Sequence, residues 1–279
     1  MDAVVHRITA WDGLTLVARE WRDGNSAVPL LCLPGIVRTG SDFEILAEIL
    51  GHGRRVVSVD YAGRGQSGRS RDVERYGPEA CLRDVLDICA ALHLHGAVAI
   101  GTSFGGLLSM GLAAARPSLL RAVVLNDIGP DLGSGGVDFV RRFIAQDMAF
   151  PDIDAAAAYL RGILPPLSLE SDEEWRRVAA LTYAPDGNGR LRPLWDTRIA
   201  GLLDGQTPDL WALFGGLAHL PLFLVHGESS DILLPATIAR MQALRPDMVL
   251  AGVPRVGHAP TLAEPEVVAP LRSFLGEVG

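Results

Sequence analysis

The sequence predicts an α/β fold: a mostly parallel central sheet with an N-terminal antiparallel hairpin, helices on both faces, and a helical cap insertion. Three observations carry that expectation. Short runs rich in Val, Ile and Leu alternate with helix-period segments between Pro29 and Asp127, the order that builds right-handed crossovers into a parallel sheet. The first two runs are joined instead by Asp12-Gly13, a two-residue turn between alternating strands. The alternation stops at Asp131 and resumes at Leu220, with helical patterns and five large rings (Trp175, Trp195, Trp211, Tyr159 and Tyr183) in the interval.

Taken in order, "HRITAW" and "LTLVAREW" read as the hairpin. The runs "PLLCLPG" from Pro29, "RRVVSVDY" from Arg54, "GAVAIGT" from Gly96 and "LRAVVLND" from Leu120 are continuous in apolar residues, as suits strands covered on both faces. Helical patterns fall at Asp42 to Leu50, Pro78 to Leu92 and Phe104 to Ala115, the last closed by Pro117. After the interval come strands "LPLFLVHG" from Leu220 and "MVLAGVP" from Met248, then a closing helix from Glu264. The expected division is therefore a core of residues 1–130 and 216–279 with a helical cap at 131–215. Inside the cap, "VDFVRRFIAQDM" and "EEWRRVAALTY" have helical period.

The chain's 279 residues and 48% hydrophobic content suit one sizeable buried core. With 25 basic against 33 acidic residues, its field repels phosphate backbones and anionic lipid, so nucleic acid and membrane are not expected partners. Cys32, Cys81 and Cys89 are odd in number and lack metal-ligand spacing. They point to a reducing compartment, and with no signal-like start the expected location is the cytoplasm.

"AIGTSFGG", residues 99–106, places Ser103 between a strand and a helix, with Gly101 and Gly105 two residues away on each side. A lone G-x-S-x-G arises easily by chance. The strand-to-helix context is what a nucleophile elbow requires. A serine hydroxyl needs a base, and of seven histidines His258 follows the last strand, which puts it at the same C-terminal sheet edge as Ser103. His93, His95 and His219 precede their strands, His6 and His52 lack catalytic context, and His226 is the rival, read as a structural neighbour of the acid loop. The imidazole needs a carboxylate to fix its tautomer. Asp231 in "HGESSDILLP" is preferred, with Asp127 at the end of "AVVLND" as the alternative and Glu228 third.

In this set the chain resembles the α/β-hydrolase family: "GTSFGG" matches its elbow, "HGESSD" its acid loop, "GHAP" its histidine loop and "DYAGRGQS" the loop after its fourth strand. Gly63, Gly65 and Gly68 in that last loop also satisfy G-x-G-x-x-G, but no helical pattern opens at the third glycine to face a pyrophosphate. The resemblance implies an oxyanion hole made by the N–H groups of Phe104 and Ile36, with Val37 as the alternative to Ile36. Pro34-Gly35 stands where the family often carries His-Gly. Arg38, Trp175, Trp195 and Trp211 are candidate substrate contacts.

The function the resemblance implies is serine hydrolysis of a small or medium carboxylic ester through an acyl-enzyme, with no metal or organic cofactor and a small molecule as partner. A carbon–carbon bond hydrolase, lactonase or perhydrolase using the same residues, or a small-molecule receptor with little turnover, are the alternatives. Serine at the elbow speaks against the haloalkane dehalogenases and epoxide hydrolases, which use aspartate there.

Overall fold

The computed structural model describes residues 2–22, 24, 27–203 and 209–279. Its main sheet has eight strands: β1 (Val4–Thr9), β2 (Thr15–Arg22), β3 (Leu30–Leu33), β4 (Arg55–Asp60), β5 (Ala97–Thr102), β6 (Leu120–Asn126), and, beyond a short antiparallel pair formed by β7 (Tyr183–Pro185) and β8 (Leu191–Pro193), β9 (Leu222–Gly227) and β10 (Val249–Val253). The order across the sheet is β1-β2-β4-β3-β5-β6-β9-β10. β1 and β2 pair antiparallel, β2 joins β4 antiparallel, and every later neighbour is parallel. Each apolar run expected as a core strand is one.

The helices are α1 (Glu44–Leu50), α2 (Pro78–Ala91), α3 (Phe104–Ala115), α4 (Ser134–Ile144), α5 (Ile153–Ile163), α6 (Asp172–Ala180), α7 (Trp211–Gly215), α8 (Pro235–Leu244) and α9 (Pro265–Val278). None among the described residues is long and apolar enough to cross a membrane. Proline opens α2, α8 and α9, where its missing N–H costs nothing. Because helices cover both faces, the middle strands bury both sets of side chains. All four residues of β3 and all six of β9 are buried, each large aliphatic side chain contributing about 1.5–3 kcal/mol. One core cluster, around Leu31, Val57, Leu125 and Leu224, lies on one face; Leu30, Val98, Val124 and Phe223 form the other.

The segment between β6 and β9 carries α4 to α7 and the β7–β8 pair. Its expected helices are α4 and α6, though "EEWRRVAALTY" breaks after Ala180 and its tyrosine, Tyr183, begins β7. α6 starts with a capping box, Ser171 and Glu174 satisfying each other's backbone N–H. The segment is tied to the loop after β4 by Gly65 N–H to Leu194 O (2.7 Å) and Asp196 N–H to Gly63 O (2.8 Å). In that loop no helix opens at Gly68; a short 3-10 turn, Val73–Tyr76, comes later. The three cysteines are buried free thiols, and burial pushes Cys81 up to about 11.

Candidate active site

Ser103 stands at the junction of β5 and α3, with φ 52° and ψ −117°, a backbone region that non-glycine residues occupy only when their surroundings force it. The surroundings are crowded. A Cβ on Gly101 would lie 2.4 Å from the Gly105 carbonyl oxygen, and one on Gly105 would lie 1.9 Å from that of Leu33. The two glycines of the motif are therefore there for close backbone approach. Gly105→Ala is expected to destabilise the fold at or above the upper end of the roughly 1–3 kcal/mol seen for overpacked cores, measured as a lowered urea midpoint; an unchanged midpoint contradicts the packing argument.

The register places the next groups. Thr102 pairs with Asn126 across β5 and β6, so Ser103 and Asp127 each stand one residue beyond that rung, on neighbouring strands of one rim. Asp127 also has a positive φ, 52°, and its side chain is wholly buried. His258, in the loop between β10 and α9, approaches from the far side of β9, and its Nδ1 lies 2.8 Å from Asp127 Oδ2. That loop is braced by Asn126 Nδ2 donating to Pro260 O at 2.9 Å and by Gly257 N–H donating to Pro166 O at 2.7 Å. With Nδ1 bonded to a carboxylate, the imidazole's remaining lone pair is on Nε2.

The carboxylate that meets His258 is thus that of Asp127, not Asp231. Asp231 is exposed, beside Gly136 at the start of α4. What the loop after β9 contributes is donors. Ser230 Oγ donates to Asp127 Oδ2 at 2.5 Å, Gly227 N–H to Oδ1 at 3.0 Å, and His226 Nδ1 lies 3.2 Å from Oδ1. Burial pushes the Asp127 carboxyl up, but the hydrogen bonds from His226, His258 and Ser230 outweigh it, and its pKa lies below the ordinary carboxylate value. Asp127 therefore remains an anion beside the imidazole. Nothing in the sequence marks Ser230: in "ESSD" it is one of two serines in a loop, next to a charged residue.

Ser103, His258, Ile36 and Val37 all border one cavity of about 900 Å³, large enough to bury a small or medium organic molecule. The segment between β6 and β9 lines it with apolar side chains, Phe139, Phe143, Leu160, Leu164 and Val178 among them, and with charged ones, Arg142, Glu170, Glu174 and Arg177. Phe104 opens α3 directly after Ser103, and the first N–H groups of a helix have no intrahelical acceptor.

The other expected contacts are placed differently. Arg38 borders the cavity, but its guanidinium is held bidentately by Asp42 (2.7 and 2.8 Å) and bonds Thr182 Oγ1 at 2.6 Å. Trp175, Trp195 and Trp211 are not among the cavity's lining residues. Trp175 and Trp195 are core, the latter donating its indole N–H to Ile144 O at 2.9 Å. Trp211 packs edge-on to Phe214 beneath the Arg240 guanidinium. These rings pack against neighbouring residues, Trp195 against Phe143 and Tyr183, whereas Phe139 and Phe143 of α4 border the cavity.

A mostly parallel sheet with a serine on a strained strand-to-helix bend, and an imidazole held by a buried carboxylate at the same rim, is an arrangement that can support nucleophilic serine chemistry. Residues 30–271 match the model of the alpha/beta hydrolase family, and the chain belongs to that family. It is 33% identical over 263 residues, 90% of this chain and 89% of the other, to the 3-hydroxybutyrate-oligomer hydrolase of Cupriavidus necator. It is 29% identical over 248 residues, 88% of this chain and 87% of the other, to the 2-(acetamidomethylene)succinate hydrolase of Mesorhizobium japonicum. A solved α/β hydrolase from Novosphingobium aromaticivorans superposes with a TM-score of 0.93 at 38% identity, covering 99% of both chains. Hydrolysis is the class of activity these relatives support.

Proposed function

We propose that this protein is a serine hydrolase that cleaves a small or medium carboxylic ester in two steps. The observation that carries the proposal is the 2.8 Å bond from His258 to the buried Asp127, at the cavity that Ser103 borders. In the first step Ser103 Oγ attacks the ester carbonyl while His258 Nε2 takes its proton. The tetrahedral intermediate collapses, the proton passes from His258 to the leaving alcohol, and the acyl group remains on Ser103.

In the second step water loses a proton to His258, attacks the acyl carbon, and the acid departs as Ser103 recovers its proton. Asp127, in place of Asp231, keeps the imidazole in the Nδ1–H tautomer and supports its positive charge. The N–H groups of Ile36 and Phe104 receive the oxyanion. Residues 131–215 act as a cap whose apolar side chains hold the acyl chain. A hydroxy acid joins to itself through esters, so the relative from Cupriavidus necator supports the ester reading.

The test is labelling together with a substrate series. A fluorophosphonate is expected to modify the protein once, at Ser103, and p-nitrophenyl esters from acetate to decanoate are expected to give steady turnover with an optimum at short or medium chains. Labelling elsewhere, or binding that shifts the melting temperature without product release, contradicts the proposal.

A further inference from the structure

An oxyanion donor works only if its peptide plane is fixed, because an N–H that turns away leaves the developing charge unpaired. The plane preceding Ile36 is held through the Gly35 carbonyl, which accepts from the Arg38 N–H at 3.0 Å. The plane following it, which carries the Val37 N–H, is held through the Ile36 carbonyl, which accepts from Nε of Arg64 at 2.8 Å. One residue earlier, the Pro34 carbonyl accepts from the Tyr61 hydroxyl at 3.1 Å. Three successive carbonyls of this turn are thereby committed away from the cavity.

Arg64 is an unusual residue for that task. It is 1% exposed, and no carboxylate pairs with it among the described residues. Nη1 donates to Ala62 O at 2.7 Å, while Nη2 has no hydrogen-bond partner among the described residues. The guanidinium carbon lies 5.7, 5.8 and 5.9 Å from the ring centroids of Tyr61, Tyr76 and Phe104. Burying an unneutralised cation is costly, and an apolar side chain of similar volume would fill the same space. The site therefore selects the charge or the fork of donors, not bulk. Its contacts say why: Arg64 bonds the Ile36 carbonyl at 2.8 Å and its guanidinium carbon lies 5.9 Å from the centre of the Phe104 ring, the two residues whose N–H groups are proposed as the oxyanion hole.

We infer that Arg64 is a positioning residue of the oxyanion hole: through the Ile36 carbonyl it fixes the Ile36–Val37 peptide, which adjoins the Gly35–Ile36 peptide that carries the donor N–H, and so holds the Ile36 backbone in place beside Phe104. The inference rests on the reading of Ser103 as nucleophile. Arg64 does not border the cavity, so it acts through these neighbours and not on substrate. Interactions that matter in the transition state alone lower kcat and leave KM nearly unchanged, and they weaken tetrahedral adducts in parallel.

The experiment compares the wild-type chain with Arg64→Met and Arg64→Lys, reading kcat and KM on the best p-nitrophenyl ester, the inhibition constant of butylboronic acid, which closes a tetrahedral anion on a serine oxygen, and the melting temperature. Arg64→Met is expected to lose about 10²-fold in kcat with KM within about threefold, and to lose boronate affinity by a similar factor. Arg64→Lys keeps the charge but not the planar fork, and is expected to fall between. If Arg64→Met does not fold, Arg64→Lys carries the same two readouts. Unchanged kcat and boronate affinity, with or without a lower melting temperature, mark a packing role and overturn the inference, as does a fall in kcat without a fall in boronate affinity. A wild-type chain that neither labels at Ser103 nor turns over esters contradicts the proposed function instead.

Discussion

Ser103→Ala is expected to lose about 10⁶-fold in kcat on an activated ester, the scale seen when the nucleophile of a serine triad is removed, while KM and the melting temperature stay near those of the wild type. Ser103 has no side-chain capping bond to α3, so removal of its hydroxyl takes away the proposed attacking oxygen without unpicking the helix. The alanine still has to adopt the same backbone at φ 52°, which the packing around Gly101 and Gly105 enforces. Residual turnover then reports what the N–H donors and the cavity achieve without a covalent step. Turnover within about tenfold of the wild type would move the chemistry to another group.

Asp127→Asn is expected to cost about 10⁴-fold in kcat, because an amide facing Nδ1 favours the wrong imidazole tautomer and cannot balance the charge that develops on it. Asp231→Asn is expected to leave turnover within about threefold, since an exposed side chain that does not meet His258 has little to lose. Both variants are read with the same ester under the same buffer, and the ratio between them decides. If Asp231→Asn proves the more damaging, the acid role returns to the loop after β9. Ser230 and His226 sharpen the reading, for both hydrogen-bond the Asp127 carboxylate; a carboxylate with this many donors is kept ionised and in place, ready to orient an imidazole and not to exchange protons with it.

Much of this architecture was legible because its signals are local. The apolar runs that became β3 to β6, β9 and β10 are continuous because both faces of a central parallel strand are covered, and periodicity reports that without any knowledge of neighbours. The bend at Ser103 was legible for a similar reason. Gly101 and Gly105 are forced by backbone approach within a few residues, and the contacts of 2.4 and 1.9 Å that a Cβ would make are the physical form of that signal.

The carboxylate that meets His258 was not local. Asp127 and Asp231 both follow strands that end at the correct rim, and motif order favoured Asp231. Preference for one required knowing that the Thr102–Asn126 rung aligns β5 with β6, that Asp127 turns inward at φ 52°, and that Ser230, not its neighbour, points at the buried carboxylate. The tryptophans fail for a related reason. Aromatic composition places large rings in an insertion but does not say which face of a helix meets the sheet and which meets a cavity.

By itself, then, the amino-acid order determined the strand sequence, the serine elbow and the histidine loop, since each is written in spacing along the chain. Only tertiary structure decided which carboxylate reaches His258, which cap residues wall the cavity, and that a buried arginine lies behind the Ile36 peptide. Those depend on distances between residues as far apart as Asp127 and His258, which are set by strand register and by the packing of whole elements.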